Sequence, residues 1–167
     1  VAAGQADLGL VGGASSAARP AMMLLFSFGG LLATGEPRPI WERGADGGMV
    51  TGSVGAFLVL EAREHAEARS KTAYARVGDV LSDRSTRAPG AEAEKLGGMI
   101  ARVRASLPAG PVPVLSGATG IGPATAEERD VLAGIPGGAA IRASGSKIGH
   151  AIEPTIVANV ALAAAAM

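Results

Sequence analysis

The sequence predicts an α/β fold in which short buried strands alternate with helices. Apolar runs that end in glycine are typical of buried strands, and the charged or alanine-rich stretches between them are typical of helices. Hydrophobic residues make up 48% of the 167 residues, aromatic residues make up 3%, and there are 25 glycines. The core must therefore be packed by small aliphatic side chains and by close approaches of the backbone.

The N-terminal part begins with a short apolar run and a longer apolar segment. Leu8–Val11 is predicted to be a buried strand that ends in the turn Gly12-Gly13. Pro20–Leu32 is predicted to contain a helix, and it is apolar nearly all round. Such a helix is enclosed by protein or packed against another subunit. The stretch Thr34–Gly48, rich in Pro, Gly and charge, is predicted to be a surface loop.

The remaining elements follow the same alternation. The segment Gly52–Ala62 has the β-branched, glycine-interrupted pattern of a strand, and Glu61–Ser70 has charges at helical spacing. Strand character returns at Tyr74–Leu81, and Arg84–Glu94 is the best candidate for a connection between two halves. The C-terminal part is predicted to hold helices within Ala91–Leu107, Ala124–Leu132 and Gly149–Met167, and strands at Val112–Leu115 and Ala140–Ala143.

The composition argues against several classes of function. Fifteen basic and fifteen acidic residues give no net charge, and no basic cluster could neutralise a run of phosphates, so nucleic acid is not expected as a partner. The sequence has no cysteine, which excludes a Cys-ligated metal site and fits a cytoplasmic location. No run approaches the roughly 20 apolar residues of a membrane span, so membrane insertion is not expected. We expect neither a metal nor a cofactor.

Three segments, in order, carry a resemblance to a known family. The first is VAAGQADLGLVGGASSAARPAMMLLFSF at the N-terminus, and the second is RPIWERGADGGMVTGSVGAFLVLEAREHAEARSKTAYARVGDVLSD. The third is Val114–Met167, which contains SGATG and GSKIGH. Together they resemble the β-ketoacyl-acyl carrier protein synthases, or ketosynthases, of fatty acid and polyketide assembly. The second segment is the most specific, because its LVLE strand and EHAEAR helix follow the family's order and spacing.

The resemblance implies a thiolase-like fold with layers in the order α-β-α-β-α, of which this chain would form only a portion. Residues 1–88 would be the end of the N-terminal ketosynthase half and the crossover, and residues 89–167 the start of the C-terminal half. The family's nucleophile would lie upstream of this chain. The resemblance also implies an acyl carrier protein as partner, and a homodimer or a heterodimer with another ketosynthase subunit.

The same resemblance assigns candidate site residues. Ketosynthases aim two imidazole N–H groups at the thioester oxygen that becomes negative during condensation, and here the second of these histidines would be His150. Ser116 replaces the first, and Glu127 falls where the family has a glutamate eleven residues later. Phe26 would be the gating phenylalanine. Gly145 replaces the family's lysine, for which Lys147 is a partial substitute.

Each of these residues also has a structural interpretation: His150 as a structural histidine, Phe26 as a core or interface residue, and Ser116 as the end of a strand. Loss of one imidazole donor should slow condensation about a hundredfold or more. We therefore expect a degenerate subunit that resembles a chain length factor and pairs with an active ketosynthase. The alternative is an active 3-oxoacyl-acyl carrier protein synthase that performs decarboxylative Claisen condensation.

A remote alternative comes from the segment VLSGATGIG at Val114–Gly122, a strand that leads through glycines into a helix. This order is typical of dinucleotide-binding loops and suggests an NAD(P)-dependent reductase. The acidic residue expected about twenty positions later is missing, since Ile141 and Arg142 stand there. The only tyrosine, Tyr74, has Gly78 four residues later where a reductase would have lysine.

Overall fold

The computed structural model describes residues 1, 3–86 and 88–166. It contains strands and helices in alternation, as the sequence predicts. The strands are β1 (Leu8–Ser15), β2 (Val54–Glu61), β3 (Val112–Ser116) and β4 (Ala139–Ala143). The helices are α1 (Pro20–Phe28), α2 (Arg63–Ala68), α3 (Ala91–Ala105), α4 (Gly122–Ala133), α5 (Gly145–Ile148) and α6 (Thr155–Ala165), with a 3-10 helix at Ile40–Glu42.

The four strands form two separate pairs. β1 and β2 are antiparallel, with a register that runs from Leu8 opposite Glu61 to Ser15 opposite Val54. β3 and β4 are parallel, and α4 makes the crossover that a parallel pair requires. α6 packs against strands of both pairs. The carboxyl ends of β3 and β4 therefore lie side by side, and Ser116 pairs with Ala143 there.

Strand β1 is longer than the sequence predicts, because the chain does not turn at Gly12-Gly13. Gly12 lies opposite Phe57, whose ring covers it so closely that any Cβ at Gly12 would overlap the ring. Glycine is therefore needed here so that an aromatic side chain can lie across the neighbouring strand, which is a known way to keep glycine within a sheet. The prediction of a turn at Gly12-Gly13 is therefore wrong.

The loop predicted at Thr34–Gly48 is in fact partly buried. Ile40 is 1% exposed and packs with Ala118 and Ala143 to form the core cluster, although its neighbours in sequence are mostly exposed. Arg43 is 8% exposed. Its Nε donates to the Arg38 carbonyl at 2.8 Å, and its Nη1 donates to the carbonyls of Gly48 at 2.9 Å and Thr119 at 3.4 Å. Arg43 thus joins this loop to the loop that follows β3.

The strand predicted at Tyr74–Leu81 is absent, and the backbone there is irregular. Tyr74 and Val80 are 94% and 80% exposed. Strand propensity is expressed only where a neighbouring strand takes up the backbone hydrogen bonds, and no described strand lies along this segment. The predicted connection Arg84–Glu94 lies in the same irregular stretch up to the start of α3, apart from Arg87, which is outside the described residues.

The last helix starts six residues later than predicted. Gly149 has φ +72° and caps the end of α5, and the backbone of His150 pairs with Thr51. Pro154 then caps the start of α6. The predicted end of this helix, Met167, lies outside the described residues. These few residues between α5 and α6 matter because they hold His150 in an extended conformation instead of on a helix.

An apolar surface runs over α1 and the first strand pair. No described residue of α1 is buried, in agreement with a helix that would need further protein to cover it. The most exposed large apolar side chains of this surface are Leu10, Leu24, Leu25, Phe28, Phe57 and Val59. Across the described ranges, no helix is both long and apolar enough to cross a bilayer.

Candidate functional site

Ser116 ends strand β3 and is 4% exposed. Its hydroxyl donates to Oε1 of Glu128 at 2.6 Å and accepts the Ala118 backbone N–H at 2.9 Å. A serine hydroxyl has one proton to donate. Because that proton is directed to Glu128, Ser116 in this arrangement has no hydrogen left for a substrate oxygen.

The partner of Ser116 is Glu128 and not Glu127. The Glu127 carboxylate instead accepts the backbone N–H of Gly90, the residue before α3, at 3.3 Å. A helical pattern could have identified Glu128, because Thr125, Glu128 and Leu132 recur at the spacing of one helix face, and Thr125 and Leu132 are buried. Matching the family position by position gave the adjacent residue, about 100° away around the helix.

Burial raises the pKa of the Glu128 carboxyl above its ordinary value, and the hydrogen bond from Ser116 opposes part of that rise. Both effects follow from elementary electrostatics, since a carboxylate loses hydration when it is enclosed and recovers some stabilisation from a donor. Burial thus has the larger effect on the ionisation of Glu128, and the hydrogen bond from Ser116 acts against it.

His150 is held by backbone pairing between α5 and α6. Its N–H donates to the Val50 carbonyl at 2.8 Å, and its carbonyl accepts the Gly52 N–H at 3.0 Å. The ring atom Nδ1 is enclosed and has no hydrogen-bond partner in the described part of the chain. Burial lowers the pKa of the imidazole, so His150 is held neutral over a wider pH range than a free histidine.

His150 and Phe26 lie in the wall of one small pocket. The pocket lies between α1, the end of β1 and the segment that carries Thr51 and Gly52. Met22, Met23 and Ile152 give it a largely apolar lining, while Ser15, Ser16 and Arg19 supply polar groups. The structure thus brings two of the predicted site residues together, whereas Ser116 is not among the residues that line this pocket.

The predicted lysine substitute lies elsewhere. Lys147 is exposed on the short helix α5. Gly145, at the start of that helix, is buried, and a Cβ there would lie 2.7 Å from Cδ1 of Ile40. A side chain at position 145 would therefore have to displace the terminal methyl group of Ile40. Asn159 lies beside Gly117, with Nδ2 3.8 Å from the position of a Gly117 Cβ.

Comparison with known proteins decides the fold. No protein-family model matches the chain, and no curated protein matches it. Three solved structures resemble it over 98% of its length. A type II polyketide synthase ketosynthase with its acyl carrier protein has a TM-score of 0.74 at 21% identity, and the match covers 44% of that chain. The ishigamide ketosynthase/chain length factor has 0.73 at 23%, covering 41%.

The third is an oxazolomycin ketosynthase domain from Streptomyces albus JA3453, with a TM-score of 0.71 at 21% identity and coverage of 31% of that chain. This chain has part of the ketosynthase fold. The predicted thiolase-like α/β architecture is thereby confirmed for the portion present. The chain spans less than half the length of the ketosynthases that it matches.

Within the ketosynthase fold, the loop after β3 cannot serve as a dinucleotide site. Such a site needs the N-terminus of the following helix to be open to a pyrophosphate. Here the segment around Gly47 covers it: the Gly122 N–H donates to the Gly47 carbonyl at 3.3 Å, and a Cβ at Gly122 would overlap the carbonyl oxygen of Ala45. The reductase alternative is therefore wrong on geometric grounds.

The burial of His150 predicts how this part of the ketosynthase fold responds to acid. Because the folded pKa is lowered, the unfolded chain binds more protons below about pH 6.5, and the free energy of unfolding falls as the pH decreases through that range. The loss cannot exceed about 1.4 kcal/mol per pH unit for one proton. In urea denaturation, we expect His150→Gln to lose less stability on acidification than the wild type.

The matched control is His65→Gln, which changes the other histidine and leaves the pocket untouched. This variant should keep the His150-dependent loss. An acid sensitivity that is unchanged in His150→Gln would show that burial of the imidazole does not limit stability.

Proposed function

We propose that this chain is part of a β-ketoacyl synthase-like subunit of fatty acid or polyketide assembly that is catalytically degenerate. The observation that carries the proposal is the hydrogen bond of 2.6 Å from Ser116 to Glu128 at the position where the resemblance puts the first ketosynthase histidine. Ser116 both replaces an imidazole and has its single proton committed to a carboxylate.

The chemistry makes that replacement costly. Decarboxylation of a malonyl thioester gives an enolate, and its attack on an acyl carbonyl places negative charge on oxygen. A preorganised donor to such an oxygen contributes about 2.7–4 kcal/mol to transition-state stabilisation in other enzymes. With one donor absent and glycine at position 145 in place of the lysine, His150 is the candidate donor that remains among the described residues.

We further propose that the subunit pairs with an active ketosynthase and binds an acyl carrier protein in the cytoplasm. Among the similar structures, one is a ketosynthase/chain length factor and another is a ketosynthase with its acyl carrier protein. Exposed apolar side chains on α1, such as Phe28 at 88% and Leu25 at 62%, need further protein to cover them, and the remainder of the ketosynthase fold can supply it as well as a partner.

A second candidate is an active 3-oxoacyl-acyl carrier protein synthase. The shared pocket of His150 and Phe26 favours it, because it keeps the second histidine and the gate of the family together. In that case the nucleophilic cysteine would lie in sequence upstream of this chain. A cysteine in a tight turn between a strand and a helix there would favour the enzyme, and Gln, Ala or Ser would favour the accessory subunit.

The decisive experiment uses the full-length protein purified without a partner. We expect it to release no carbon dioxide from malonyl carrier protein and to form no acyl-enzyme by intact-protein mass spectrometry. An active ketosynthase assayed in parallel serves as the positive control. Appreciable condensation by the protein alone would reject the degenerate subunit and establish the second candidate.

A further inference from the structure

The corner at the end of β3 contains three groups linked in a row. The Ala118 N–H donates to Ser116 Oγ at 2.9 Å, and the Ser116 hydroxyl donates to Glu128 Oε1 at 2.6 Å. Ser116 and Ala118 are each 4% exposed, so water does not compete readily for the bond between them, while Glu128 is half-buried. A change at one end of such a row is transmitted to the other through the serine oxygen.

The direction of the middle bond depends on the carboxyl. An ionised Glu128 can only accept, so the serine proton must be directed to it. A protonated Glu128 can donate to Ser116 Oγ, which has lone pairs for both that proton and the Ala118 N–H. Only in the second case is the serine proton free for another acceptor.

We propose that Glu128 is the positioning residue of this corner: its carboxylate holds the Ser116 hydroxyl as a donor to itself and thereby withholds it from an acyl thioester oxygen. This inference rests on the proposed function. It adds to that function the residue that controls the Ser116 hydroxyl. The resemblance to ketosynthases points to Glu127, so the assignment of Glu128 comes from its hydrogen bond with Ser116.

No charged residue on a neighbouring element accounts for the raised pKa of Glu128. Helix α4 packs against α3, β4 and the 3-10 helix. The charged residues of these elements are Glu42, Glu92, Glu94, Lys95, Arg102, Arg104 and Arg142. In the described ranges none of them has a hydrogen bond or ion pair with Glu128.

Three of these neighbours have other partners. Lys95 pairs with Asp83, Arg104 donates to backbone carbonyls, and Arg142 donates to its own neighbour's carbonyl. On α4 itself, Glu127 accepts the Gly90 N–H and Arg129 pairs with Asp130. The pKa of Glu128 has only burial and Ser116 as causes of its shift.

The test is an NMR pH titration of the full chain. The side-chain carboxyl carbon of Glu128 reports its ionisation, and the amide proton of Ala118 reports the hydrogen bond to Ser116. We expect both signals to move with one common midpoint in the wild type. Glu128→Gln should abolish the Ala118 step, and the matched Glu127→Gln control should retain it.

Two further variants separate positioning from a merely structural role. Ser116→Ala should remove the Ala118 step and raise the midpoint of Glu128, because the donor that stabilises the carboxylate is gone. Ser116→Thr keeps a hydroxyl and should restore the coupling. The assignment would be overturned if the pH dependence of the Ala118 amide signal were unchanged in Glu128→Gln, or if it were lost in Glu127→Gln. These outcomes are independent of the carbon dioxide assay, so either proposal can fail alone.

Discussion

Replacing Arg43 with Met should lower the free energy of unfolding by about 2–4 kcal/mol. Methionine keeps an apolar stem but removes the donors to the carbonyls of Arg38 and Gly48, at 2.8 and 2.9 Å, and the longer bond to Thr119. A buried carbonyl left without a donor costs about 1–3 kcal/mol. Burial lowers the pKa of the guanidinium, which shows that enclosing the charge is itself unfavourable. Removing the charge offsets part of the loss.

Urea denaturation of purified variants measures this effect. Arg38→Met is the matched control, because Arg38 belongs to the same loop and its exposed side chain has no hydrogen bond in the described structure. Its change should stay within about 0.5 kcal/mol. Arg43→Lys should recover little of the lost free energy of unfolding. A lysine ammonium lacks the planar guanidinium, whose N–H groups donate in two directions at once. Equal stability of Arg43→Met and Arg38→Met would show that water donates to these carbonyls when Arg43 is absent.

Arg43 and Ile40 also mark the limit of what the sequence could predict. Helices α3 and α4 and strands β3 and β4 lie within two residues of their predicted bounds, because apolar periodicity and flanking glycines are local signals. The burial of Ile40 against Ala118 and Ala143 depends on residues more than seventy positions away. In a stretch rich in Pro, Gly and charged residues, no local sequence pattern indicates such a contact.

The candidate site was predictable to a similar extent. Matching short motifs found His150 and Phe26, which lie in one pocket. Motif matching selected Glu127, and the helix face shared by Thr125, Glu128 and Leu132 was the signal for Glu128. The sequence could not show that Gly145 lies against the side chain of Ile40. That contact is a property of packing between elements, and a single sequence records such packing only indirectly.

Gly52→Ala should have the other large effect, a destabilisation of about 3 kcal/mol. A Cβ on Gly52 would overlap the carbonyl oxygen of Ile148, and a backbone atom cannot rotate out of the way as a side chain can. Overpacking of this kind typically costs 1–3 kcal/mol. The chain from Ile148 to His150 would have to move, which would break the hydrogen bond of 3.0 Å from the Gly52 N–H to the His150 carbonyl.

Gly55→Ala is the matched control, because it adds the same methyl group to the same short motif. A Cβ there would lie 3.6 Å from the Cβ of Ala14, an ordinary contact, so stability should change by less than about 1 kcal/mol. The imidazole proton signals of His150 should shift in Gly52→Ala and stay in place in Gly55→Ala. Gly52 lies against the backbone that leads to His150, and Gly55 does not. Equal stability and equal His150 signals in the two variants would mean that this contact does not hold the histidine.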